Sequence, residues 1–136
     1  MSVESVVVAK LLAVSGVTDI VGSRIRPLLL RQSDNLPGIA YTTISNTPVS
    51  RATGTNATYR ARVQIDCFAS TYTAAKTLEA AVIAALDNYS ASGTTPPISS
   101  CHLETVTDLP PDDTPGADDR RAFGVSLDFI LWHGSD

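Results

Sequence analysis

The sequence predicts an α+β fold, in which a mainly antiparallel sheet of about four strands packs on one long helix beside a short N-terminal helix. Residues 59–69 alternate apolar and polar side chains, as a strand with one buried face does. The alanine-rich segment 70–89 then places apolar residues at helical spacing. A second alternating run, at 121–132, repeats the strand pattern near the C-terminus.

Three apolar rows are predicted to form the core. In the first strand the row is Tyr59, Ala61, Val63, Ile65 and Cys67. In the helix, which Ser70 or Thr71 would cap, the row is Ala75, Leu78, Val82, Leu86 and Tyr89. In the C-terminal strand the row is Phe123, Val125, Leu127, Phe129 and Leu131.

The N-terminal part of the chain supplies the remaining helix and two further segments. We predict a helix over Val3–Val14, ended by Gly16, with one more turn at 18–21. Residues 24–30 form a strand or extended arm, which Pro27 assigns to a sheet edge because proline cannot donate to a neighbouring strand. The β propensity of residues 38–46 predicts another strand.

Residues 98–109 are predicted to form a strand with simple alternation. Cys101, Leu103 and Thr105 would then lie on one face. His102, Glu104 and Val106 would lie on the other face.

Two long segments between predicted strands have no apolar periodicity. Residues 47–58 contain Pro48, Gly54 and Asn56, and they are too many for a tight turn. They form either a hairpin tip or a finger that orders on a partner. Residues 110–119 are acidic, and a solvated or partner-facing loop is favoured over a calcium loop because the alternation of an EF-hand is absent.

Composition suits one domain spanning residues 1–136. The chain has a mass of 14.3 kDa and 43% hydrophobic residues, which is enough for a core. No apolar run reaches the roughly 20 residues that span a bilayer, and a secretory signal is not expected. The net charge of −4 argues against a general nucleic-acid binder.

The sequence predicts no enzyme activity, no cofactor and no metal site. His102 and His133 have no evident nucleophile partner, and a site built from His102 and Glu104 would have too few ligands for zinc. Cys67 and Cys101 are expected to be two buried thiols, although a disulfide between them stays open.

The order of these parts resembles that of the tail-completion proteins (tail-terminator, head–tail joining) of long-tailed bacteriophages. The resemblance covers nearly the whole chain, and the ordered set is more specific than any one piece. The pieces after the first helix are Gly22–Pro27 (GSRIRP), Leu36–Tyr41 (LPGIAY), Arg62–Tyr72 (RVQIDCFASTY), the alanine-rich helix, and Val125–Phe129 (VSLDF).

The resemblance implies a structural virion protein, made in the cytoplasm of a bacterial host and located in the tail or neck. It would form a homohexameric ring at the head-proximal end of the tail tube. Its partners would be further copies of itself, the major tail tube protein and the head-completion or connector protein. DNA would pass through the ring without specific binding. The alternative is a cytosolic adaptor or assembly protein of the same fold that is not part of a virion.

Candidate contact residues lie on the predicted strands and in the two loops. Arg60 and Arg62 either pair across strands on a solvated face or form carboxylate pairs at a subunit boundary, and Asp66 and Asp128 have the same two interpretations. The finger at 47–58 contributes Arg51, Thr53 and Asn56 as candidate partner-binding residues. The acidic candidates for channel lining or docking are Asp112, Asp113, Asp118 and Asp119.

Overall fold

The computed structural model describes residues 2–28, 36–49, 58–109 and 123–134. The helices are α1 (Val3–Ala13), α2 (Ser15–Val21) and α3 (Tyr72–Leu86). The strands are β1 (Ile25–Pro27), β2 (Gly38–Val49), β3 (Thr58–Ala69), β4 (Ile98–Leu109) and β5 (Phe123–Gly134). In these parts of the chain, no helix has the length and apolarity that a membrane crossing requires.

The described strands form one five-stranded mixed sheet in the order β1-β2-β3-β5-β4. β1 runs parallel to β2, whereas the other neighbouring pairs are antiparallel. Three short helices contact this sheet, α3 on β3, β4 and β5 and the other two on β2. The prediction of a mainly antiparallel sheet of about four strands on one long helix is therefore wrong.

The parallel pair arises from the way the chain leaves α2. Gly22, which has a positive φ of 60°, ends that helix and turns the chain into β1. The connection that follows brings β2 back beside β1, so that Ile25 lies opposite Ile39 and Pro27 opposite Tyr41. The edge position predicted for Pro27 is confirmed, but a three-residue strand has no sequence pattern that reveals its direction.

The first helix ends at Ala13, one residue before the predicted end at Val14, and the break lies at Val14 instead of Gly16. Val14 has an extended backbone, and its N–H bonds Leu11 O, so α1 ends there and α2 begins at Ser15. Gly16 lies inside α2 instead of ending α1. The two helices pack on each other and on α3, which gives a single helical layer on one side of the sheet.

The predicted core rows of the two strands are confirmed, and the helical row is confirmed as far as Leu86. Tyr89, the last residue of that row, lies beyond the end of α3 and is half-buried against the core. Within β3 and β5 the inward residues are buried except Tyr59 and Phe123, which are half-buried at the strand ends. The Thr71 side chain caps α3 by accepting from the Ala74 N–H. From that helix the described core receives Ala75, Leu78, Val82, Ala85 and Leu86.

Shifts of register change which residues face the helices. β2 shifts between Thr43 and Ser45, and β4 shifts between Ile98 and Ser100 and between Leu103 and Thr105. β2 and β3 stay paired through Val49 and Thr58, so the loop predicted at 47–58 is shorter than expected. Pro48 is tolerated because β1 pairs only with residues 39–41 and leaves that stretch of β2 at the edge. In β4 a bulge at Glu104 interrupts the alternation, so Val106, opposite Leu127, faces the helices and Thr105, opposite Asp128, faces away.

Candidate functional site

All three helices lie on one side of the sheet, so its other side, here called the open face, is uncovered by described helices. Alternation along β3 and β5 places the polar candidates Arg60, Arg62, Asp66 and Asp128 on this open face, as the sequence predicts. The open face therefore carries the polar strand candidates, beside the buried Ile130 and the half-buried Trp132 on β5.

Arg62 lies at the centre of an ion-pair network on the open face. Its Nη1 donates to Asp128 Oδ2 at 3.0 Å, and its Nη2 donates to Glu104 Oε2 at 2.6 Å. The bulge in β4 brings Glu104 to this position beside β5. The network joins β3, β5 and β4 within one copy of the chain, which is the cross-strand pairing that the sequence left as one of two possibilities.

Arg60 and Asp66 have different surroundings from Arg62. Arg60 is exposed, lies opposite Thr47 and Trp132, and makes no ion pair with the described residues. Both carboxylate oxygens of Asp66 accept from Gln64 Nε2, at 2.9 and 3.1 Å. Among the described contacts, the charge of Arg62 is used within the chain, whereas that of Arg60 remains available to a binding partner.

A second cluster, which the sequence did not predict, joins α3 to β4. Lys76 Nζ donates to Asp108 Oδ1 at 2.7 Å, and the Tyr72 hydroxyl donates to Asp108 Oδ2 at 2.8 Å. These hydrogen bonds, that of Lys76 first, lower the pKa of Asp108, while the bond to Asp108 raises the pKa of Lys76. The sequence pattern did not reveal the bulge at Glu104, and it is this bulge that turns Asp108 towards the helices.

His133 is buried at the end of β5 and makes contacts that fix its ring. Its ring stacks on Tyr59 with 5.3 Å between centroids, Nδ1 lies 2.8 Å from Gly134 O, and Nε2 lies 3.0 Å from Asn46 Oδ1. The nearby Glu4 accepts from the Thr43 hydroxyl. Partial burial opposes ionisation of Glu4, but that hydrogen bond and others outweigh it and lower its pKa. These contacts hold strand ends and α1 together.

Both cysteines are free and buried, so the prediction of two buried thiols is confirmed. Burial raises the pKa of Cys101 to about 12 and also raises that of Cys67. Neither thiol is therefore a reactive thiolate at neutral pH.

An open cleft of about 410 Å³ lies between α1 and the segment that follows α3. Its described lining is Val6, Ala9, Lys10, Ala13, Tyr89, Gly93, Thr94 and Thr95. Lys10 Nζ lies 5.1 Å from the centroid of the Tyr89 ring. The lining contains no histidine, cysteine or carboxylate, and no group of three or more metal-binding side chains occurs among the described residues.

The strand ends place the two long connections at opposite ends of the sheet. Val49 and Thr58, which flank residues 50–57, lie at the end where Thr58 pairs with Gly134. Leu109 and Phe123, which flank residues 110–122, lie at the end where Phe123 pairs with Ala69. The loop candidates fall outside the described residues; they are Arg51, Thr53, Asn56, Asp112, Asp113, Asp118 and Asp119.

Comparison with solved structures gives the fold an independent reference. A chain from "Virion of native gene transfer agent (GTA) particle" matches with a TM-score of 0.72 over 98% of this chain and 96% of that chain. The two sequences are 14% identical, so this match concerns the fold. No curated protein matches the chain in sequence.

Comparison with protein families identifies the chain more directly. Residues 5–134 match the family described as Tail completion protein gp17. The matched range includes every described strand and nearly all of α1. The chain therefore belongs to the tail completion protein gp17 family and is a structural protein of a phage-type tail.

Proposed function

We propose that this protein forms a ring at the head-proximal end of a phage tail tube, ends polymerisation of the tube, and joins the tail to the head connector. The supporting observation is that the connections 50–57 and 110–122 leave from opposite ends of one sheet. A protein that joins two assemblies needs two separate contact regions, and these strand ends supply one on each side.

A ring of six identical copies needs one repeated heterologous contact, in which a patch on each copy meets a different patch on its neighbour. Arg60 suits such a contact because it is exposed and has no described ion-pair partner. The chain also carries eight Arg against two Lys among its ten cations, and arginine is favoured over lysine at protein interfaces. The partners on the two sides would be the major tail tube protein and the head-completion protein.

DNA must pass such a ring without binding to it. The acidic residues of 110–122 serve this passage by repelling phosphate if they border the channel. Replacing Asp112, Asp113, Asp118 and Asp119 together with asparagine is expected to slow DNA ejection while particles still assemble. Normal ejection would contradict the channel role, and loss of head–tail joining would assign the acidic residues to docking instead.

The competing function is a cytosolic adaptor of the same fold that is not part of a particle. Particle composition separates the two functions. Gold labelling of an epitope-tagged protein on purified particles is expected to mark the junction between head and tail. Particles that are infectious yet contain no tagged protein would favour the adaptor.

A further inference from the structure

The edge strand β4 is covered along only half of its length. Its first half is bonded by the segment after α3: Ala91 exchanges two hydrogen bonds with Ile98, Asn88 N–H donates to Cys101 O, and Leu103 N–H donates to Asp87 Oδ1. No backbone hydrogen bond occupies the outer side of residues 105–109 within the described chain. This half of β4 is open to another strand.

The pairing of β4 with β5 determines which backbone N–H and C=O groups of β4 point outward. Leu103, opposite Phe129, sends its N–H outward, and in an antiparallel pair such outward positions recur at every second residue. Val106 and Asp108 lie opposite Leu127 and Val125, in the same series. Their N–H and C=O groups therefore point away from the sheet.

The other side of the sheet is also half covered. β1 pairs with residues 39–41 of β2 and stops there, so residues 45–49 have no described strand on their outer side. After the bulge between Thr43 and Ser45, the outward positions are Asn46 and Pro48. Asn46 offers both a donor and an acceptor on its backbone, whereas Pro48 offers an acceptor alone.

Exposed apolar side chains collect beside these two open halves. On the β2 side Ile44 is 51% and Val49 37% exposed, and on the β4 side Val106 is 39% and Tyr72 47% exposed. Apolar side chains on an unpaired edge are typical of a surface that another chain covers.

The two edges are complementary in direction. Three antiparallel steps separate β2 from β4, so the two strands run in opposite directions. When two copies lie side by side with the same face outward, the open half of β4 and the open half of β2 are antiparallel and can form a ladder.

We propose that residues 105–109 of β4 in one copy pair with residues 45–49 of β2 in a second copy of this chain, which continues the sheet from subunit to subunit. The contact rests on the ring proposed above and identifies the surfaces that close it. Asn46 and Pro48 lie on the helix side of their sheet, as do Val106 and Asp108, so the pairing keeps all helices on one side of the ring.

The offset between the open halves fits ring closure. Asn46 lies level with Ala61, and Val106 and Asp108 lie level with Ile65 and Cys67. Pairing Asn46 with Val106 or Asp108 therefore displaces the neighbouring copy along the strand direction by four to six residues, which is roughly 13–20 Å. The displacement across the sheet is four strand spacings, or about 19 Å. This corresponds to a tilt of about 35–45°, the range at which sheets close into barrels.

Cysteine cross-linking in purified particles tests this contact. Thr47 and Thr107 are exposed on the open face at positions that face a neighbour without bonding its backbone. The double variant Thr47→Cys, Thr107→Cys is expected to give a ladder of covalent multimers on a non-reducing gel after oxidation. Each single variant should stay monomeric, and co-expressed single variants should give dimers only, because the contact is heterologous. Cys67 and Cys101 are buried and should not contribute.

The matched control moves one cysteine into the covered half of the same strand. Thr47→Cys, Ser99→Cys places an exposed thiol on β4 where residues 87–91 block access, and no ladder is expected. Normal particles that contain the double variant but give no multimers would overturn the proposal. So would an equal ladder from the control pair, or dimers from Thr107→Cys alone. Absence of the protein from particles would overturn the proposed function and this contact with it.

Discussion

Lys76 on α3 donates a 2.7 Å hydrogen bond to Asp108 on β4, the outermost antiparallel strand of the sheet. The same carboxylate accepts from the Tyr72 hydroxyl, and Lys76 Nζ lies 3.2 Å from the buried Glu79 Oε2 as an ion pair. These contacts join the start of the helix to the second half of β4, which among the described residues has a backbone neighbour on one side only. They hold the open half of β4 in place before any partner arrives.

This contact predicts a stability that depends on acid pH. Because the pKa of Asp108 is lower in the folded chain, its carboxylate stabilises the fold above the unfolded pKa, and the effect is lost as pH falls through the folded pKa. Asp108→Asn is therefore expected to lower the urea midpoint slightly at pH 7 and to match the parent only at pH values below the folded pKa of Asp108, which itself lies under the usual value of about 4. Asp19→Asn, at an exposed helical position, is the control. An equal deficit at both pH values would contradict this prediction.

Arg60 and Arg62 form a matched pair for separating stability from assembly. They share a strand and a face, but only Arg62 makes described ion pairs. Arg62→Ala should cost about 0.5–1 kcal/mol of unfolding free energy, since exposed pairs contribute about 0.2–1 kcal/mol each. Arg60→Ala should change the unfolding free energy by less than about 0.5 kcal/mol, yet reduce the yield of joined particles. Urea unfolding and particle counts by electron microscopy measure the two effects; the reverse order would count against a contact role for Arg60.

Gly124 is a sensitive position on β5. A Cβ at this position would lie 3.0 and 3.1 Å from ring carbons of Phe68 and 3.2 Å from Leu109 Cδ1. Gly124→Ala should therefore displace the Phe68 ring and cost about 1–3 kcal/mol of unfolding free energy. Gly93→Ala, with no atom within 4 Å of the added carbon, should be close to neutral, and equal losses in the two variants would contradict the packing explanation.

Leu78 tests the helix-to-sheet core. It is fully buried on α3, so Leu78→Ala is expected to cost about 2–5 kcal/mol through lost burial and the cavity left behind. Leu12→Ala, on the exposed side of α1, should change the unfolding free energy by less than about 0.5 kcal/mol. Urea denaturation at neutral pH measures both, and a loss below 1 kcal/mol for Leu78→Ala would show that this contact is not part of a close-packed core.

The long strands and helix with a regular apolar pattern could be predicted from the sequence. The bulges that interrupt the alternation of a strand could not. The alternation of β3 and β5 correctly identified Val63, Ile65, Leu127 and Phe129 as core, because a twelve-residue strand with one buried face leaves a strong pattern. The bulge at Glu104 left no such pattern, since β4 is an exposed edge strand whose polar residues fit either face.

The candidate site was predictable to a similar extent. Alternation placed Arg62 and Asp128 on one face, but their pairing depends on the order β3-β5-β4, which brings together residues 66 positions apart in sequence. The contact between Lys76 and Asp108 depends on that order and also on the bulge. Strand order is set by long-range packing, and no local stretch of this sequence encodes it.

Electron microscopy of lysates from a strain that lacks this gene tests the tail-completion role most directly. Without a terminating and joining ring, filled heads should lie beside unattached tails that are over-long or irregular in length, and a plasmid copy of the gene should restore joined particles. Normal, infectious particles with tails of uniform length in the deletion strain would contradict the proposed role and favour the adaptor.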